Sequence, residues 1–316
     1  MEQSPIIRDW QKDCVYLIQF PRARCCPSIS PYCLKLETWL RMADIAYHNV
    51  GNEFKFLSHR GQVPFVELNG RQIADTNFIM AELSRIFGVE IDGHLSEREI
   101  ADFRAYSSLI EDSLAWSCAY YRSHNISFLA TEDGLINHFQ GFRKFMFRTL
   151  GMAKLKRSYR QKCYAQGIGR NSVSEVEVIT KNNLKALSAF LDNKPFMMGE
   201  QSGSLDATAF GHLCMFIYTP TNRNIQQYIE TECRNLVDYV RNMKELYWPD
   251  WNEATSKLSL ATRPNRANTL STVESMTRPK LLTPALTSVR EPNPEAHIDP
   301  RGDIEIFDVE EPIVHE

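Results

Sequence analysis

Three short stretches hold residue types whose spacing could do chemistry on a sulfur nucleophile: Ser30-Pro31-Tyr32-Cys33, Val63-Pro64 and Asp75-Thr76. Ser30 followed by Pro31 supplies the N-cap and first-turn residues of a helix. A helix start presents unpaired backbone N–H groups and the positive end of the macrodipole, which favour a thiolate held there, and a serine hydroxyl at that point can donate to it. The magnitudes suffice. A thiol of ordinary pKa, ~8.5, is only a few per cent ionised at neutral pH, and lowering that value by two units takes about 2.7 kcal/mol. A helix terminus contributes ~0.3–2 kcal/mol, and a hydrogen bond to a charged group roughly 1.5–3 kcal/mol. Each stretch also has a plainer reading: Ser30 and Asp75 as helix caps, Val63-Pro64 as the start of a strand, and Cys33, one turn into its helix, as a small buried apolar residue.

The elements that must position these residues follow from periodicity. Val15 to Phe20 is a short β-branched and aromatic run stopped by Pro21, as a buried strand is. From Pro31 to Ala43, Leu34, Leu36, Trp39, Leu40 and Met42 recur at helical spacing. Residues 63–68 and 71–74 flank Asn69-Gly70, the strongest short hairpin signal, and Asp75 can then cap a helix that ends near Gly88. After Gly93 alternation gives way to helical spacing, with helices expected over 96–122, 132–139, 142–164, 173–191, 204–217, 223–230 and 233–246. The division expected is a flexible N-terminus 1–12, an α/β domain 13–92, an all-helical domain 93–250 and a disordered tail 251–316 rich in Ser, Thr, Pro and charge.

A formal net charge of -3 gives no case for nucleic-acid binding. The N-terminus lacks the basic start and apolar run of a signal peptide, and the most apolar stretch, 205–218, is interrupted by Asp206 and His212, so neither secretion nor a membrane span is expected. The eight cysteines lack paired zinc-site spacing and read as free thiols of a cytoplasmic protein, with Cys25, Cys26 and Cys33 the only group that could gather on a soft metal; no metal is expected as a cofactor. Between Arg143 and Arg170 lie nine cations and no acid, interleaved with Phe142, Phe145, Met146, Leu150 and Leu155. This basic amphipathic helix, 142–164, is either a solvated face or an attachment surface for an acidic partner or membrane. The acidic stretch 299–316 keeps the chain soluble or meets a protein partner.

The segments 19–22, 30–43, 63–70 and 73–76, with Gly203-Ser204-Leu205-Asp206-Ala207 further on, resemble the failed axon connections family, a metaxin-like branch of the glutathione S-transferase superfamily, over residues ~14–248. The resemblance implies a thioredoxin-like N-terminal domain and a transferase-type helical domain. It further implies a cis peptide before Pro64, a Val63 backbone that pairs with glutathione, Asp75-Thr76 at the γ-glutamyl end, and Ser30 at the catalytic position of serine-type transferases. Under that reading Lys55, His59 or Arg60 would meet the glycine carboxylate, and Asp206 would be a buried helix-capping residue, with Ser204 as cap in place of the usual residue before it. Two functions follow from the resemblance. One is a non-catalytic interaction or scaffold protein in axon development; the other is a glutathione transferase or glutathione-binding protein in detoxification or cadmium response, with homodimer formation expected by analogy.

Overall fold

The computed structural model describes residues 5–261 apart from Thr221. The first half runs β1 (Val15–Gln19), α1 (Pro31–Met42), β2 (Tyr47–Gly51), β3 (Phe65–Leu68), β4 (Arg71–Ala74) and α2 (Thr76–Phe87). The strands form one sheet in the order β2-β1-β3-β4, β1 and β2 parallel and β3 antiparallel to both its neighbours. The Asn69-Gly70 hairpin turn places both residues at positive φ, 51° and 76°, which matches the twist of the strands it joins. Leu17, Val66, Leu36, Trp39, Leu40, Ile79 and Leu83 close the core between the sheet and its helices.

The second half is helical: α3 (Glu97–Ser108), a π-helical stretch Leu109–Leu114, α4 (Ala115–His124), α5 (Gly141–Met146), α6 (Met152–Gln166), α7 (Val173–Leu191), α8 (Ser204–Ile217), α9 (Arg223–Glu232), α10 (Arg234–Tyr247) and α11 (Trp251–Lys257). Ser96 and Ser172 open α3 and α7 with reciprocal capping boxes to Glu99 and Glu175. The apolar α8 is buried almost throughout and lies against α1. At their crossing Gly211 approaches so closely that an added Cβ would stand 2.6 Å from the Pro31 carbonyl oxygen and 2.7 Å from the Lys35 nitrogen. Among the described residues no helix is long and apolar enough to cross a membrane.

Several expectations need correction. The helix expected over 132–139 is a turn with a short 3-10 segment, Ile136–His138, because the Leu135 amide bonds back to the Leu129 carbonyl and breaks the helical ladder. The N-terminus from residue 5 is tied down: the Ile6 and Ile7 amides donate to the Glu67 carboxylate at 2.8 and 3.0 Å, and Trp10 packs on Gly70. The helical region also extends past 250, since Trp251 is buried in α11 against Phe210, Tyr218 and Trp248. Residues 1–4 and the remainder of the expected disordered tail, 262–316 with its acidic end, lie outside the described residues. At the start of α8, Asp206 reaches back to the Gly203 amide at 2.8 Å and also accepts from the Met197 amide and the Tyr239 hydroxyl. Ser204 is not the cap. Its hydroxyl accepts from the Trp39 indole at 3.0 Å instead, because Gly203 occupies the cap position.

Beneath α1 lies a buried ion cluster. Arg22 grips Glu37 with two hydrogen bonds of 2.6 and 2.7 Å, and Arg41 bridges Glu37 to Asp250 while its guanidinium lies 3.6 Å from the centre of the Trp248 ring. Gln19, Tyr47 and Asn49 donate to the same Glu37 carboxylate. Burial would raise Glu37, but the two guanidinium groups hold it well below the ordinary carboxylate range.

Candidate functional site

Strand register gathers three segments at one end of the sheet. Ile18 pairs with Phe65, and Phe65 with Ala74, so the chain leaving β1 at Phe20, entering β3 at Pro64 and leaving β4 at Asp75 shares that edge. The Val63–Pro64 peptide is cis. Asp75 sits at φ 78° and ψ 124° and takes the Asn77 amide on its carboxylate at 3.0 Å, so it caps α2 from a backbone conformation that favours glycine. A non-glycine residue held there costs on the order of 1–3 kcal/mol, and such strain concentrates at ligand sites. Thr76 follows, buried, as the first residue of α2.

Arg60 lies beside this edge, its guanidinium 4.9 Å from the centre of the Phe78 ring on the first turn of α2. Lys55 is engaged by Glu53 at 2.6 Å, and the His59 amide and ring nitrogen both meet Gln72. Of the three cations, Arg60 is therefore the one that the described residues leave without a carboxylate or amide partner.

Ser30 stands at the N-cap of α1, where its hydroxyl oxygen accepts the Cys33 amide at 3.4 Å. It is 9% exposed and lines a cavity of about 270 Å³. The opposite walls come from the helical half: Trp116, Cys118 and Arg122 of α4, Leu155, Tyr159 and Lys162 of α6, with Phe20, Phe54 and Phe147 closing the side. Val63, Pro64, Asp75, Thr76 and Arg60 do not line this cavity. Cys33 is fully buried; burial pushes its thiol up to about 11 against hydrogen bonds that include one from Ser30, so it stays protonated at neutral pH. Because a neutral thiol is a weak acceptor, the Ser30 hydroxyl proton remains available to a stronger one. Among the described residues no group of three or more His, Cys, Asp and Glu side chains could hold a metal ion; the Cys25 and Cys26 sulfurs lie 3.9 Å apart.

Sequence reasoning missed a polar triangle next to Asp75. The fully buried Lys35 ammonium donates to Asn77 at 2.7 Å and to Glu111 at 2.8 Å, and the Asn77 amide donates to the other Glu111 oxygen at 3.0 Å. Glu111 belongs to the π-helical stretch, a local widening of the helix that recurs at functional sites. Burial raises the Glu111 carboxyl, but Lys35 outweighs it and holds the group ionised. Lys35 stands between Leu34 and Leu36, but with Glu37 and Arg41 on the same helix it reads as part of a solvated polar face. The cavity walls from α4 and α6 carried no local signal either.

The family models described as the glutathione S-transferase N-terminal and C-terminal domains match residues 31–127 and 180–243. "Failed axon connections" of Drosophila melanogaster is 36% identical over 262 residues, covering 80% of this chain and 62% of that protein, so the chain spans less than two thirds of that relative. The isoprene-epoxide–glutathione S-transferase of Rhodococcus sp. (strain AD45) is 28% identical over 225 residues, 70% of this chain and 94% of the relative. Metaxin-2 of Mus musculus is 22% identical over 222 residues, 70% and 83%. The fold matches a solved glutathione S-transferase of Ceriporiopsis subvermispora in complex with glutathione, with a TM-score of 0.50 at 12% identity over 79% of this chain and 99% of that one. This chain belongs to the glutathione S-transferase superfamily, in its failed axon connections, metaxin-like branch.

Proposed function

We propose that the chain binds glutathione along the edge formed by Val63, Pro64, Asp75 and Thr76, with Arg60 meeting the glycine carboxylate and Ser30 facing the thiol. The observation that carries this reading is the place of Ser30, at the amino end of α1 and on the wall of a largely apolar cavity. There its oxygen is engaged by the Cys33 amide while its O–H can donate to a thiolate. The backbone strain at Asp75 supports a ligand at the neighbouring edge. In the reaction the glutathione thiol loses its proton to solvent, Ser30 and the α1 dipole stabilise the thiolate, and the sulfur attacks an electrophilic carbon in the cavity. A C–S bond forms, and the bond to the leaving oxygen breaks. For an epoxide, the electrophile printed in the bacterial relative's name, the alkoxide then takes a proton from water. A cytoplasmic setting and a homodimer belong to the same proposal; the eight free cysteines support the first.

Calorimetric titration with glutathione tests the reading. Wild type is expected to bind saturably and Asp75→Ala to lose binding, while Ser30→Ala retains binding but loses the lowered thiol ionisation seen by ultraviolet absorbance of the bound thiolate. An absence of binding at millimolar glutathione would overturn it.

A second reading, a non-catalytic interaction protein with a role in axon development, is favoured by one specific observation. Phe142, Phe145 and Leu150 stand 74%, 61% and 62% exposed among Arg143, Lys144 and Arg148. Such an apolar and basic face is suited to an acidic partner. The loss of glutathione binding with retention of the fold would leave this reading in place.

A further inference from the structure

The cavity beside Ser30 contains a cation whose charge the described residues do not balance. Arg122 is 5% exposed and lines the cavity. Its Nη1 donates to the Ile29 carbonyl at 2.7 Å, its Nη2 faces the Met215 sulfur at 3.4 Å, and its Nε has no hydrogen-bond partner. Burial works against the charge, and Tyr159, which also takes a hydrogen bond from the guanidinium, Cys118 and Cys26 outweigh it, but none of them is a carboxylate. Arg22 and Arg41, buried to a similar degree, each hold an acidic partner within 3.3 Å. A buried guanidinium with an orphaned N–H is costly unless an anion completes it.

The surroundings define that anion's other end. Phe54, Trp116, Leu129, Leu135, Phe147 and Leu155 line the same space, so a ligand that satisfies Arg122 must also present apolar surface to them. Lys162, exposed on α6, adds a second positive charge to the lining. We propose that this cavity binds an amphipathic carboxylate, an apolar chain or ring ending in one anionic group, with Arg122 as the residue that selects for the charge. The proposal rests on the reading of this cavity as a ligand pocket, and it names the chemical class that the pocket takes.

The experiment is calorimetric titration of the full chain, without glutathione, with decanoate, decanol and decylamine. Decanoate is expected to bind saturably and at least about tenfold more tightly than decanol, with decylamine weakest, as a charge-assisted hydrogen bond to a buried guanidinium requires. Arg122→Met should abolish the preference for decanoate over decanol. Equal affinity for decanoate and decanol in wild type would overturn the proposal, as would undiminished decanoate binding by a folded Arg122→Met. The comparison of head groups on wild type decides the matter even if the variant does not fold. Asp75→Ala separates this proposal from the glutathione reading, since it should lose glutathione and keep decanoate. Decanoate binding by a protein that ignores glutathione would sink only the latter, and glutathione binding without decanoate would sink only this one.

Discussion

Beneath α1, Arg22 and Arg41 are locked by Glu37 and Asp250; on the cavity wall, Arg122 meets a carbonyl, a thioether and the Tyr159 side chain, and its Nε has no partner. The closed cluster consumes its charges internally and has nothing left to offer a ligand. The open one keeps an N–H unspent. Another buried base, His212 on α8, shows another solution: its Nδ1 donates to the Thr208 carbonyl, its Nε2 has no partner, and burial holds it neutral, with its pKa lowered to about 4. The same problem, a base removed from water, is thus met by pairing, by neutrality, or by leaving a place for an anion. A count of buried charges cannot distinguish structure from function, whereas their state of pairing can.

The comparison breaks most visibly at Glu37. Glu37→Gln leaves two buried guanidinium groups facing one another and should cost about 3–5 kcal/mol, read as a fall in the urea midpoint. A loss under about 1 kcal/mol would mean that the cluster does not neutralise its own charges. His212 is sharpened by pH. Its folded pKa of about 4 lies below its ordinary value, so the stability it contributes is complete above about pH 6.5 and is lost as the pH falls through 4. His212→Asn should therefore lose about 2–3 kcal/mol less than wild type between pH 7 and 4.5 in parallel urea titrations. Asp206, whose pKa burial pushes up to about 6, acts in the opposite sense in both proteins and cancels in the difference. The smallest effect belongs to Arg122→Met, which should move stability by no more than about 1 kcal/mol, because the charge it removes was not compensated. A large loss there would mean that Arg122 is structural after all.

What the sequence made legible was whatever is local. The Ser30-Pro31 helix start, the Asn69-Gly70 turn, the Asp75 cap and the left-handed stop at Gly88 are each determined within a few residues of chain, and each stands where its residue types require. Lys35, Glu37 and Arg41 were hidden for the opposite reason. In a helical repeat they look like a solvated polar face between apolar positions, and only the arrival of Glu111, Tyr247 and Asp250 from far along the chain buries them. The candidate site divides in the same way. Its sheet edge could be assembled from strand pairing, but the cavity walls on α4 and α6 depend on how helices meet, which no short window encodes. The helix α11 was missed because Trp251 docks on Phe210 of α8 and on Trp248, just past the end of α10, and carries no periodic pattern of its own.

The crossing at Gly211 fixes how near α8 can come to the amino end of α1, the turn that carries Ser30 as its cap. That single residue works as a gauge. A relative with glycine there can share this crossing as drawn, whereas one with even an alanine must hold the two helices further apart. Inspection of one aligned column thus sorts the relatives to which conclusions about this crossing transfer from those to which they do not.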